Sequence, residues 1–94
     1  MRADLHTHTR ASDGTLSPRE LVREARAVGL QVLAVTDHDT VDGIAEAVDE
    51  AERLGIELVP GVELSTDVPG SEVHILGYFV DWRSEPFGTF LRRL

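Results

Sequence analysis

Apolar positions along this chain follow two alternating rhythms: short unbroken runs, and runs spaced by three and four. Arg2–His6 reads as an opening strand, and His6 and His8, two residues apart, fall on one face of it. Polar Thr7–Leu16 follows as a loop containing the turn-type cluster Ser12-Asp13-Gly14. Ser17-Pro18-Arg19-Glu20 then places Ser at an N-cap, Pro at N1 and Glu at N3. This capping box precedes an apolar helix side of Leu21, Val22, Ala25 and Val28. Gly29 closes that helix. Val32–Val35 is a continuous apolar run bounded by turn residues, the pattern of a strand buried on both faces in a parallel sheet.

A second helix is expected from Thr40 or Asp42 to Leu54. Ile44, Ala45, Val48, Ala51 and Leu54 lie on its apolar side, and Glu46, Asp49, Glu50 and Arg53 on its polar side. Gly55 stops it, Ile56–Val59 forms a third strand, and the chain stays extended through Val62-Glu63-Leu64-Ser65. Pro69-Gly70 predicts a turn, Val73–Val80 a returning strand, and Phe87–Leu94 the opening of a helix after a loop at Arg83–Pro86. Strand and helix alternate as in an α/β fold, with crossovers joining parallel neighbours. The ligand-type residues His6, His8, Asp37, His38 and Glu63 each fall at or just past a strand's C-terminal end. In α/β folds that edge gathers functional groups.

Composition narrows the chemistry. With 41% hydrophobic and 28% charged residues the chain is an ordinary globular sequence of one small domain. It has no cysteine, so a transition-metal site must be built from imidazole and carboxylate, which suits manganese, iron(II), zinc or magnesium. Met1-Arg2-Ala3-Asp4 leads straight into the histidine motif without a signal-peptide pattern, and no apolar run approaches a membrane span. The expectation is a cytoplasmic protein that does not bind membranes. A formal net charge of −8 argues against binding duplex nucleic acid, although bound cations would let an acidic pocket take a phosphorylated substrate. Nothing in the sequence sets the oligomeric state.

Each candidate has a plainer reading beside the functional one. His6 and His8 fit one metal ion or an exposed strand pair. Asp4 fits a group steadying a histidine ring or a polar strand start. Asp13, on its immediate sequence, is a turn aspartate. Asp37 and Asp39 flank His38 and either orient its ring or cap the next helix, a role that suits Asp39 better. Glu63, between apolar Val62 and Leu64, must be coordinated or paired with an arginine. His74, before Ile75-Leu76-Gly77, is by itself a satisfied core histidine, and Arg10 a solvated surface arginine or a phosphate contact.

Taken in order, Asp4-Leu5-His6-Thr7-His8, Ser12-Asp13-Gly14, Thr36-Asp37-His38-Asp39-Thr40, Gly61-Val62-Glu63-Leu64-Ser65 and Glu72-Val73-His74-Ile75-Leu76-Gly77 resemble the opening motifs of the PHP (polymerase and histidinol phosphatase) metal-dependent phosphoesterases. The resemblance runs from about Asp4 to Asp81 and is nearest to the 3′,5′-nucleoside bisphosphate phosphatase and short-RNA exonuclease branch. It implies a distorted (β/α)7 barrel whose C-terminal rim holds up to three divalent metals, manganese first, with zinc, iron(II) or magnesium as alternatives. By the same resemblance His6 and His8 bind one metal, Asp13 and His38 another, Glu63 bridges two and His74 completes a third site. Asp37, not itself a ligand, orients His38.

The implied activity is hydrolysis of a phosphate ester by a metal-activated hydroxide, on a small nucleotide substrate: a 3′,5′-nucleoside bisphosphate or the 5′ end of a short oligoribonucleotide. Histidinol-phosphate-type phosphatase, polymerase-associated exonuclease and a non-catalytic metal-binding fragment are the alternatives. Members of this branch are much longer and carry later motifs, including an Asp-x-His pair. No histidine follows His74, so residues 1–94 are expected to be the N-terminal portion of a single PHP domain.

Overall fold

The structure, a computed structural model, describes residues 2–68 and 71–92, with the side chains of 66–68 and 71–73 excepted. The turn expected at Pro69-Gly70 lies outside the described residues. The order of elements is β1 (Ala3–Thr7), α1 (Pro18–Ala27), β2 (Val32–Val35), α2 (Ile44–Leu54), β3 (Glu57–Val68), β4 (Ser71–Tyr78) and α3 (Glu85–Arg92). The four strands form one sheet in the order β1-β2-β3-β4, with β1, β2 and β3 parallel and β4 antiparallel to β3. The sheet is curled, because Tyr78 of β4 reaches back to β1 and donates its hydroxyl to the Leu5 carbonyl at 2.8 Å.

Local sequence explains most of these elements. Ser17 accepts from the Glu20 amide and Glu20 accepts from the Ser17 amide, so the predicted capping box is formed, with Pro18 at the first helical position. Gly29 follows the helix at φ +84, and Gly55 ends α2 at φ +74. The core lies between the sheet and α1 and α2, where Val22, Ala25, Leu33, Val35, Ile44, Ala47, Ala51 and Ile56 pack together. Leu33, Ala34 and Val35 are all buried, as expected of a strand covered on both faces.

Helix faces are where the pattern misleads. Val28 is exposed, and on α2, which begins at Ile44 and not at Thr40 or Asp42, it is Ala47 rather than Ala45 that turns inward, because Ala47 lies three residues after Ile44 and four before Ala51 on the packed face. Glu50, expected on the solvent side, is only 2% exposed. Arg23 Nε donates to it at 2.8 Å, Arg53 Nη1 at 3.0 Å and Arg19 Nη1 at 3.3 Å, so three guanidiniums replace the water it loses at the α1–α2 contact. The Arg23 hydrogen bond, opposed by burial and helped by the charges of Arg23 and Arg53, holds the Glu50 carboxyl below its ordinary range.

β3 is one long strand that changes partners along its length. Val59 and Pro60 pair with β2, and from Gly61 onward the strand pairs with β4. A side chain at Gly61 would strike the Gly77 carbonyl and the Thr36 methyl at 2.8 Å, so this close passage requires glycine. Beyond the parallel register, β3 carries Glu63 onto the rim where β1 and β2 end.

Candidate metal centre

Four neighbouring segments bring the predicted residues together. His6 lies near the end of β1, and His8 just beyond it. His38, past the end of β2, forms an isolated parallel bridge with Glu63. The Asp39 amide donates to the Glu63 carbonyl, and the Glu63 amide donates to the Asp37 carbonyl, both at 2.9 Å. On β4, Leu76 pairs with Glu63, which makes His74 its diagonal neighbour on the same face. Backbone pairing therefore brings two segments, the one past β2 and β4, against Glu63, and β1 lies beside β2.

Glu63 is 5% exposed and divides its two oxygens between histidines. Its Oε1 accepts from His6 Nε2 at 2.6 Å and His8 Nε2 at 2.9 Å. Its Oε2 accepts from His74 Nδ1 at 2.7 Å and lies 3.7 Å from His38 Nδ1. Asp13 joins the free sides of two of these rings, with Oδ1 at 2.7 Å from His8 Nδ1 and Oδ2 at 3.0 Å from His38 Nε2. Burial by itself would raise the Glu63 carboxyl, but hydrogen bonds from His6, His8 and His74 and the nearby His38 outweigh it and hold the group down at about 2. At Asp13 partial desolvation is likewise overcome, by His8 and His38, and the carboxyl lies below its ordinary range.

Three sets of donor atoms result: His6, His8 and Glu63; His8, Asp13 and His38; and His38, Glu63 and His74. Within each set the atoms lie within 4.8 Å of one another. Two anionic carboxylates among four imidazoles make a donor set of the kind that holds divalent transition ions, and no thiolate is present to bias it. The residues present fit such ions.

Other candidates take different positions. Asp37, 1% exposed, spends its carboxylate on the loop that follows β1 rather than on the His38 ring. It accepts from the Thr9 amide, the Thr9 hydroxyl and the Ser12 hydroxyl. Asp39, at φ +52, accepts from the Ser65 amide at 2.9 Å and does not cap α2, whose N-cap Gly43 has no side-chain bond. Asp4 accepts from the His6 amide and not from a ring nitrogen. Arg10 pairs on the surface with Glu20 at 2.8 Å. Sequence reasoning missed Thr9 and Ser12. Their hydroxyls lie in the metal-motif loop, but the partner that gives them a role is 25–28 residues away.

The PHP domain model matches residues 4–85, most of the chain. The chain belongs to the PHP domain family. The 5′-3′ exoribonuclease of Haemophilus influenzae is 55% identical over 78 residues, covering 83% of this chain and 28% of that protein. The 3′,5′-nucleoside bisphosphate phosphatase of Chromobacterium violaceum is 46% identical over 78 residues, covering 83% of this chain and 27% of that protein. An amidohydrolase from Chromobacterium violaceum, solved with sulfate bound and no metal, superposes with a TM-score of 0.92 at 40% identity, over 99% of this chain and 33% of that one. The PHP chain described here thus spans about a third or less of the length of these relatives. Among the described residues no helix is long and apolar enough to cross a membrane.

Proposed function

We propose that this chain is the N-terminal portion of a PHP-domain phosphoesterase, with residues 1–94 forming the first part of a distorted (β/α)7 barrel. In this reading it hydrolyses phosphate esters of nucleotides with divalent ions held by His6, His8, Asp13, His38, Glu63 and His74. The observation that carries the reading is Glu63, a buried carboxylate with one oxygen toward His6 and His8 and the other toward His74 and His38. A carboxylate so divided is disposed to bridge two ions. Divalent ions bound there would lower the pKa of a water toward neutrality and offset the charge of the phosphate oxygens.

The protein's own part is to fix donors. Asp13 engages His8 through Nδ1 and His38 through Nε2, and so sets the orientation of both rings. The curled sheet keeps His6 and His74 on opposite sides of Glu63. Two relatives named for nucleotide and RNA substrates support a 3′,5′-nucleoside bisphosphate or the 5′ end of a short oligoribonucleotide as the substrate. The sulfate held by the structural relative is tetrahedral and anionic, as phosphate is. Manganese is the first ion to test, since imidazole and carboxylate suit it as well as zinc, iron(II) or magnesium.

The test is metal content together with phosphate release from a 3′,5′-bisphosphonucleotide in the presence of manganese, on this chain and on any longer product of the same gene. Bound metal and turnover that His38→Ala removes would uphold the reading. Wild-type metal content and rate in His38→Ala would overturn it.

A further inference from the structure

The loop between β1 and α1 carries Asp13, whose side chain is 59% exposed yet sits at hydrogen-bond distance from both His8 and His38. An exposed aspartate on a loop is normally free to swing, so something must fix that loop. The structure offers one strong anchor. Asp37, at the end of β2 and 1% exposed, takes the Thr9 amide on Oδ1, the Thr9 hydroxyl on Oδ2 at 2.7 Å and the Ser12 hydroxyl on Oδ1 at 2.8 Å. Thr9, fully buried, passes the constraint on. Its hydroxyl accepts from the Ala11 amide at 3.0 Å, and its carbonyl accepts from the Ser12 amide at 3.1 Å and the Gly14 amide at 2.8 Å. Gly14 closes the loop against the His8 carbonyl, where any Cβ would collide with backbone.

We infer that Asp37 is a positioning residue that works through Thr9 and Ser12 to hold Asp13 in the set with His8 and His38. This assigns it a role on the loop rather than on the His38 ring. It deepens the metal reading above and rests on that reading for its functional consequence. The physical reason is entropic: three bonds to one buried carboxylate immobilise residues 9–14 before any ion arrives, so ordering the loop is not charged to binding. Outer groups that steady a ligand in this way typically alter metal affinity by about 10–100-fold.

The experiment titrates the full chain with manganese and, separately, follows amide hydrogen exchange in the metal-free chain. Asp37→Asn and Thr9→Val are each expected to weaken the same metal equivalent that Asp13→Ala removes, by roughly 10–100-fold. The equivalents that depend on Glu63 should be weakened less, because the loop reaches them only through the His8 and His38 rings. Thr9→Ser should restore binding, and adding Asp37→Asn to Asp13→Ala should cost nothing further. In the metal-free chain the Thr9 and Gly14 amides should exchange at least about tenfold faster in Asp37→Asn and Thr9→Val, while the Leu33 amide keeps its rate.

Thr9→Val is nearly isosteric, and Ser12→Ala removes one bond of the three, so the question survives if Asp37→Asn does not fold. Retention of the Asp13 equivalent in Thr9→Val, equal weakening of every equivalent, or unchanged exchange at Thr9 and Gly14 would each overturn the inference. If the wild-type chain binds no manganese, the metal reading is what fails. The exchange rates then still decide whether Asp37 holds the loop.

Discussion

Two buried glutamates, Glu50 and Glu63, pose the same physical problem and solve it with different partners. Glu50 is 2% exposed and Glu63 5%, and both carboxyls lie below their ordinary range. Glu50 is held by Arg19, Arg23 and Arg53, and Asp49 also pairs with Arg19, so three guanidiniums face two carboxylates. Guanidinium is always charged and offers no lone pair, so that cluster is complete as it stands. Glu63 faces four imidazoles, two of which also meet Asp13. Imidazole can give up its proton and present a lone pair, so the same contacts can be exchanged for metal–ligand bonds. A buried carboxylate alone does not mark a functional site. The chemistry of its partners separates a structural clasp between helices from a centre able to hold ions.

The largest expected effect falls on the imidazole side. Glu63→Gln should remove the metal held by the two donor sets that contain Glu63 and lower phosphate release by at least about 100-fold, beyond what loss of an outer group costs. Glu50→Gln should leave metal content intact. If both substitutions abolish metal binding, the separation between the two regions is wrong.

Next in size is stability. Saturating metal at about 100 times its Kd should raise stability by roughly 2.7 kcal/mol, and a chelator should reverse the gain. In thermal melts Glu63→Gln should lose most of that chelator-sensitive gain. Glu50→Gln should keep it while melting lower than wild type both with and without metal.

Acidification should separate the two regions by range. The Glu50 carboxyl is lowered from an ordinary value of 4.5, so its contribution is fully present above that pH and is lost as pH falls through the lower, folded value. In the metal-free chain Glu63 behaves alike, its contribution fading between 4.5 and about 2. With metal present the Glu63 region should fail earlier on acidification, because imidazole ligates only when neutral. Metal content and circular dichroism followed together should show ions leaving before the fold does. The smallest effect is expected for Arg53→Ala, since its side chain is 64% exposed and two other arginines remain on Glu50. Its melting temperature should drop less than that of Glu50→Gln.

The same contrast marks what could be read from sequence. Local chemistry was legible: the capping box at Ser17–Glu20, the buried run Val32–Val35, and the spacing of His6 and His8 all act within a few residues. His74 and Glu63 became neighbours through the antiparallel register of β3 and β4. Glu50 was misplaced because a charged residue beside Asp49 and Arg53 looks like part of a solvent face. Two of its three arginines lie 27 and 31 residues earlier, on α1. Asp37 was assigned to its sequence neighbour His38 because its true partners, Thr9 and Ser12, come to it only when β1 and β2 lie side by side. Helix packing and strand pairing supply these contacts, and no local pattern encodes them.

The most direct test of the central claim is metal content by mass spectrometry on wild type, Glu63→Gln and Glu50→Gln purified side by side with manganese. The partner chemistry described here predicts the same bound metal in wild type and Glu50→Gln and, in Glu63→Gln, at most the equivalent held by His8, Asp13 and His38. Equal metal in all three, or none in wild type, would contradict it.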